Sequence, residues 1–259
     1  MIKAVFFDID DTIYSHRTKS IPMSTLESLK KLRENNIKIF VSTGRLPWAV
    51  NMTDVINGVF FDGYIYMNGQ LCTLDNKIVF KNPINKDDIN NLYRYVKENS
   101  IPCIFGEEKD MYINIKSPFI KNALDNVDIP MPPVQPLERI LENDLFQIIP
   151  YANSSQLKDI LELMPNCESS RWYEKSLDIN PKGGTKALGI EKIMESLNLT
   201  IKNAIAFGDS YNDIDMLEKV KIGVAMGNSN KDVKNAADII TDDIDNDGVY
   251  NALTKLKLI

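Results

Sequence analysis

Asp8, Asp10 and Asp11 crowd into one hexapeptide, Phe7-Asp8-Ile9-Asp10-Asp11-Thr12, directly after an apolar run. A second pair, Asp209 and Asp213, follows another short apolar run that ends at Gly208. Carboxylates set this close repel one another, and a divalent cation relieves the repulsion. The donors are all oxygens, with no cysteine or histidine inside either cluster, which favours Mg2+ over Zn2+. A single aspartate after a strand is ordinarily a turn former or a helix cap. Either cluster alone therefore reads as structural, and the chemistry rests on separate segments agreeing in kind and order.

The elements that must position these groups follow from the apolar pattern. Ala4 to Phe7 is a short apolar run suited to a buried parallel strand. Ser24-Thr25-Leu26-Glu27 has the form of a capping box, and Leu26, Leu29 and Leu32 then recur at helical spacing. Ile37 to Val41 predicts a second strand, leading into Ser42-Thr43-Gly44-Arg45, and Gly63 to Met67 a third. This strand-helix-strand alternation predicts a parallel sheet with helices on its faces.

From about Gly69 the texture changes. Leu71 to Leu74 and Ile78 to Phe80 read as a hairpin around Asp75-Asn76. Helices are predicted over Asp87 to Asn99 and Ser155 to Met164. Strands are predicted over Cys103 to Phe105, Met111 to Ile115, Leu145 to Pro150 and Glu168 to Tyr173. Pro130, Pro132, Pro133 and Pro136 mark a loop. Residues 82–181 thus read as a separate α+β insertion. After Pro181 the first texture returns, with helices at Lys186 to Leu197, Asp213 to Val220 and Asp232 to Ala237. Strands are expected at Ala204 to Phe207 and Ile222 to Met226. Residues 1–81 and 182–259 then form one doubly wound α/β domain. In such sheets ligands bind beyond the carboxyl ends of the strands, where both acidic clusters lie.

Composition sets outer bounds. A length of 259 residues, 44% of them hydrophobic, suits one large or two smaller globular domains. A formal charge of -6 argues against nucleic acid as a partner. Cys72, Cys103 and Cys167 are odd in number and form no CxxC pair, so neither a disulfide framework nor a zinc site is expected. Their reading is as small apolar residues in a reducing compartment. The apolar start is too short for a signal peptide, and no run approaches the roughly 20 residues of a membrane span. A cytoplasmic protein with no membrane partner is expected.

Four segments together carry a family resemblance. Asp8-Ile9-Asp10-Asp11-Thr12 matches the first motif of the haloacid dehalogenase-like superfamily, and Thr43 in Ser42-Thr43-Gly44-Arg45 the second. Lys186 in Lys182-Gly183-Gly184-Thr185-Lys186-Ala187-Leu188 matches the third, and Gly208-Asp209-Ser210-Tyr211-Asn212-Asp213 the fourth. With Asn68-Gly69 before the insertion and Asp247-Gly248-Val249 near the end, the chain resembles the Cof-type phosphatase branch nearly throughout. The resemblance implies a Rossmann-like core with a large α/β cap at the insertion. One departure is Asp11, where the family most often has glycine; a changed loop surface with retained activity is expected.

The resemblance also implies roles. Asp8 attacks phosphorus and becomes an aspartyl phosphate, dividing one hard hydrolysis into two easier steps. Asp10 protonates the leaving oxygen and then deprotonates water, a task that crowding by anionic groups favours. Mg2+ is held by Asp8, the Asp10 main-chain carbonyl and Asp209, with Asp213 behind them. Phosphate is matched by Lys186, the Thr43 hydroxyl, the amides of Ile9 and Gly44, and Asn212. A lysine in a first helical turn is mildly unfavourable against the helix dipole, which tilts Lys186 toward function over solvation. The implied partner is a small phosphorylated metabolite, met by a monomer or a homodimer.

Other residues carry weaker signals. His16, the single histidine, reads as a surface residue ahead of a leaving-group contact, and Arg45 as surface or substrate-facing. Arg171-Trp172-Tyr173, Tyr112, Phe119 and Met131 read as insertion core ahead of specificity contacts. A receiver-type signalling module also uses clustered Asp, Thr or Ser, and Lys around Mg2+. It would need about half this length and no insertion. A phosphomutase would share the nucleophile and differ in acceptor. A dehalogenase has no use for the acid at Asp10, and a transport ATPase is excluded by the lack of spans.

Overall fold

Four consecutive apolar residues with no polar alternation suit a strand covered on both faces. The first strand, β1 (Ala4–Phe7), is fully buried in the computed structural model. The structure describes residues 1–259 except Asn57, Glu174 and Lys175, and only the backbone of Asp54 and of residues 170–176. Helix α1 (Met23–Glu34) leads to β2 (Lys38–Ser42), α2 (Pro47–Met52) and β3 (Gly63–Tyr66), followed by β4 (Leu71–Leu74) and β5 (Lys77–Lys81). The insertion carries α3 (Lys86–Asn99), β6 (Cys103–Gly106), β7 (Met111–Ile113), α4 (Pro118–Asp125), β8 (Gln147–Pro150), α5 (Ser154–Leu163), β9 (Cys167–Tyr173) and β10 (Ser176–Pro181). The chain closes with α6 (Lys186–Ser196), β11 (Ala204–Gly208), α7 (Ile214–Lys219), β12 (Ile222–Ala225), α8 (Lys231–Ala236), β13 (Ile239–Ile240) and α9 (Gly248–Lys255).

The chain divides into two compact units. The first is Met1–Gly44, Asp54–Lys81 and Thr185–Ile259; the second is Arg45–Thr53 and Asn82–Gly184. The first unit is built on one sheet in the order β13-β12-β11-β1-β2-β3-β4-β5. β13 through β3 run parallel, and β4 and β5 complete the edge antiparallel. This is the doubly wound α/β core expected from the alternation. Phe6 stacks on Phe40 with ring centroids 4.7 Å apart, and Phe7 on Phe207 at 5.0 Å. Full burial of each such side chain contributes about 1.5–3 kcal/mol. The β4–β5 hairpin turns through Asp75 and Asn76, both at positive φ, as a tight two-residue turn requires.

The second unit has a five-stranded antiparallel sheet, β7-β6-β8-β10-β9. Ile89, Leu92 and Val96 of α3 and Leu157 and Ile160 of α5 share one core with Phe105, Ile148 and Ile179. α4 and β10 were not anticipated from the pattern. α4 is only two turns long and opens on Pro118 behind the Ser117 cap. β10 alternates Leu177 and Ile179 with Asp178 and Asn180 and ends in a proline.

The capping box expected at Ser24 to Glu27 does not form. α1 starts one residue before Ser24, with Pro22 at the cap position and no side-chain cap bond. Ser24 therefore lies inside the first turn, where its carbonyl accepts a bond from the Ser28 hydroxyl.

Candidate active site

The parallel register brings the ends of three strands together. Phe7 pairs with both Phe207 and Val41, so Asp8 leaves the sheet beside Gly208 and Ser42. The Asp8 amide still donates to the Phe207 carbonyl at 3.0 Å. Beyond it the chain closes a tight turn, in which the Ile9 carbonyl accepts from the amides of Thr12, Ile13 and Tyr14. Asp11 sits in that turn at φ 53, a left-handed conformation that favours glycine and that aspartate tolerates better than most residues. Asp11 thus holds the turn in a conformation that glycine adopts readily.

Lys186 is the hinge of the site. Its Nζ donates to Asp8 Oδ1 and to Asp213 Oδ1, each at 2.6 Å, and the lysine is fully buried. It occupies the first position of α6, behind Thr185, whose hydroxyl caps the helix by accepting from the Leu188 amide. A cation there opposes the helix dipole, and the two carboxylates offset that cost. Asp213 Oδ2 accepts from the amides of Asp209 and Ser210, both at 3.0 Å. Gly208 makes room for this, because a Cβ there would lie 2.5 Å from the Asp213 side chain. Asp209 in turn accepts from the Thr12 and Ser210 hydroxyls.

Asp8, Asp209 and Asp213 each offer an oxygen within 4.8 Å of the other two, a set that could hold a metal ion. Burial pushes the Asp8 carboxyl well above the ordinary carboxylate range. Lys186 pulls it back, and the charges of Asp213, Asp209 and Asp10 push it up further. Burial pushes Asp209 up to about 7, and Asp213 adds to the effect. Burial pushes Lys186 down, but Asp213 and Asp8 outweigh it and hold the ammonium above its ordinary value. Three carboxyls thus face one lysine, on oxygen donors that suit a hard divalent cation.

The second strand end supplies a different surface. Thr43 is buried; its amide donates to the Ile65 carbonyl and its own carbonyl accepts from the Asn68 amide. A Cβ on Gly44 would face the side chains of Asn68 and Asn212, at 3.3 Å and 3.6 Å. Asn212 Nδ2 donates to Asn68 Oδ1 at 3.0 Å. Gly69, at φ 99, brings this turn against Thr185: an added Cβ would meet the Thr185 carbonyl at 2.0 Å.

All the residues singled out from the sequence, Asp8, Ile9, Asp10, Thr43, Gly44, Lys186, Asp209, Asn212 and Asp213, lie in the first unit. The Asp10 carboxylate is not part of the acidic triad; Oδ1 lies 2.8 Å from His16 Nε2. His16 is therefore bound to a candidate acid and is not the bystander its isolation suggested. Thr12, Ser210 and Asn68 were not assigned roles from the sequence, although each lies inside a recognised motif. Arg45 is buried in the second unit, where it reaches the Thr53 hydroxyl and the Val127 carbonyl. Tyr112 packs in the core of that unit beside Phe105, whereas Phe119 and Met131 are exposed. The side chains of Arg171, Trp172 and Tyr173 lie outside the described residues.

Known proteins resemble this chain over nearly its whole length. Residues 5–253 match the family model of haloacid dehalogenase-like hydrolases. A Bacillus subtilis protein named "Putative phosphatase YkrA" is 33% identical over 259 residues, covering 99% of this chain and 98% of its own. The solved structure of the subclass IIB sugar phosphatase BT4131 is 34% identical, with a TM-score of 0.88 over 99% of this chain and 100% of its own. The phosphatase BT1666 from Bacteroides thetaiotaomicron is 30% identical, with a TM-score of 0.88 over 100% and 96%. The chain belongs to the haloacid dehalogenase-like hydrolases, in their Cof-type branch, and is a phosphoric monoester hydrolase of that family.

Proposed function

We propose that this chain is a Mg2+-dependent phosphatase that hydrolyses small phosphate monoesters, sugar phosphates or similar metabolites, through an aspartyl phosphate on Asp8. The observation that carries the reading is the buried lysine of α6 set 2.6 Å from Asp8, one of three carboxyls that could hold a metal ion. The sugar-phosphate class draws support from the relative BT4131, a sugar phosphatase.

In the first step an Asp8 oxygen bonds to phosphorus while the bond to the leaving oxygen breaks. That oxygen takes a proton from the Asp10 carboxyl and departs as an alcohol. In the second step water attacks the same phosphorus and gives its proton to Asp10. The Asp8–phosphorus bond breaks, inorganic phosphate leaves, and both aspartates return to their starting forms. Lys186 orients Asp8 and carries positive charge toward the phosphoryl oxygens, with the Thr43 hydroxyl, the Ile9 and Gly44 amides and Asn212 as further donors. Asp8, the Asp10 carbonyl and Asp209 would hold Mg2+, with Asp213 fixing Lys186 and the Asp209 backbone behind them. When bound, the ion supplies positive charge against the phosphoryl group.

Residues 1–81 and 182–259 act as the catalytic core and residues 82–181 as the cap that selects the leaving group. A cytoplasmic location is in keeping with three buried free cysteines. Among the described residues no helix is long and apolar enough to cross a membrane. The test is a panel of phosphorylated metabolites incubated with purified protein with and without Mg2+. Phosphate release from sugar phosphates that requires Mg2+ is the expected result. No release from any member of the panel would overturn the reading.

A further inference from the structure

The loop between Asp10 and Arg17 is pinned from both sides around one imidazole. His16 Nε2 lies 2.8 Å from Asp10 Oδ1. The His16 amide donates to Asp11 Oδ1 at 3.2 Å, and the Asp11 amide donates to the Tyr14 carbonyl at 2.8 Å. The Tyr14 ring meets the imidazole edge-on, with centroids 5.5 Å apart. The neighbours of His16 are anchored in turn: the Ser15 hydroxyl donates to Asp245 Oδ1 and Arg17 Nε to Asp245 Oδ2. An imidazole on a backbone held at three points has little freedom, and it is bonded to the carboxyl group of Asp10.

We propose that His16 is a positioning residue for Asp10, and that Asp11 sets His16 in place. The inference rests on the phosphatase reading and deepens it. In-line attack by Asp8 puts the leaving oxygen on the far side of phosphorus from the nucleophile. The acid that protonates it must stand outside the buried triad, toward solvent. Asp10 does so, with its side chain 34% exposed against 8% for Asp8. An aspartate at such a rim ordinarily samples several rotamers, and each one away from the leaving group wastes the proton. The bond between His16 Nε2 and Asp10 Oδ1 selects one. Asp11, which stands where glycine is usual, keeps the left-handed turn and adds the carboxylate that the His16 amide requires.

A positioned acid matters only when the leaving group needs its proton. The test compares kcat/KM for phenyl phosphate, a poor leaving group, and para-nitrophenyl phosphate, a good one, in the full chain with Mg2+. This ratio reports the steps through departure of the alcohol, whichever later step limits turnover. For His16→Ala the expected loss is about 10- to 100-fold on phenyl phosphate and under about threefold on para-nitrophenyl phosphate, a part of the usual general-acid contribution. His16→Gln, which keeps a side-chain N–H donor, restores most of the phenyl phosphate rate. Asp11→Gly keeps the turn and shows the same selective loss, smaller in size. Equal slowing of both esters in a folded His16→Ala protein, or slowing of neither, would overturn the role of His16. Circular dichroism establishes folding. If wild type releases phosphate from neither ester, or Asp8→Asn remains fully active, the phosphatase reading itself falls, and the two failures are thereby distinguished.

Discussion

Lys186 donates to Asp8 over 2.6 Å with neither group in open contact with solvent. A buried ion pair gains little over an apolar pair of the same shape, but removal of one partner strands the other charge. Lys186→Met should therefore destabilise the metal-free protein by about 3–5 kcal/mol and abolish phosphatase activity. Urea denaturation in EDTA measures the first effect and phosphate release the second. A variant as stable as wild type would mean that the lysine does not hold these carboxylates together.

Asp8→Asn keeps the shape of the side chain and removes its charge and nucleophilicity. Turnover of a generic aryl phosphate should fall below about one-thousandth of wild type while the far-ultraviolet circular dichroism stays native. A folded variant with undiminished turnover would transfer the nucleophile to another residue.

Stability should depend on pH through Asp209 and Asp8. Asp209 is raised from 3.8 to about 7, chiefly by burial, and Asp8 is raised as well. A raised carboxyl favours the folded state while protonated, so its contribution is complete below about pH 4 and is lost as pH rises toward 7. In EDTA, Tm should fall between about pH 4 and about pH 7, and added Mg2+ should raise it most at the upper end. Asp245 and Glu138 are held below their ordinary values by hydrogen bonds, so their opposite contributions change at or below the lower end of this window. Asp209→Asn should flatten the slope. Differential scanning calorimetry in EDTA gives the answer, and a Tm that rises across the window would contradict the assignment.

Gly69 combines a positive φ of 99° with a Cβ position 2.0 Å from the Thr185 carbonyl, at the cap of the helix that carries Lys186. Gly69→Ala should cost about 2 kcal/mol or more and lower activity. Gly183 also has positive φ but open space around its Cβ position. Gly183→Ala should cost about 1 kcal/mol from backbone strain alone. Chemical denaturation of the two variants separates strain from collision, and equal costs would remove the collision from the account.

Much of the first unit was legible before any coordinates. Ala4–Phe7 and Ala204–Gly208 are apolar runs that end at acidic turns, and continuous burial leaves a parallel strand as their only comfortable state. The Asp75-Asn76 hairpin was equally plain, because few residues accept two consecutive positive φ angles. The Ser24 to Glu27 pattern makes no capping box because the helix already starts at Met23, with Pro22 at the cap position. The alternation in β10 is itself a strand pattern, whereas α4 is only two turns long behind a proline, too short for a helical period to show.

Asp8 and Asp209 could be nominated by type and by their place after short apolar runs, and Thr43 and Lys186 by the family resemblance. The bonds between them could not. Lys186 and Asp8 are 178 residues apart, and Thr12 and Asp209 are 197 apart, so their meeting depends on strand register and on α6 packing against the sheet. The same holds at short range for His16. Six residues from Asp10, it looks like a surface histidine until Asp11 turns left-handed and Asp245 pins the residues on either side. Residue type and local pattern by themselves determined which groups carry charge and which elements bear them. The tertiary structure alone decided which charges share a buried space, because that is set by the packing of distant segments and by the low dielectric that packing creates.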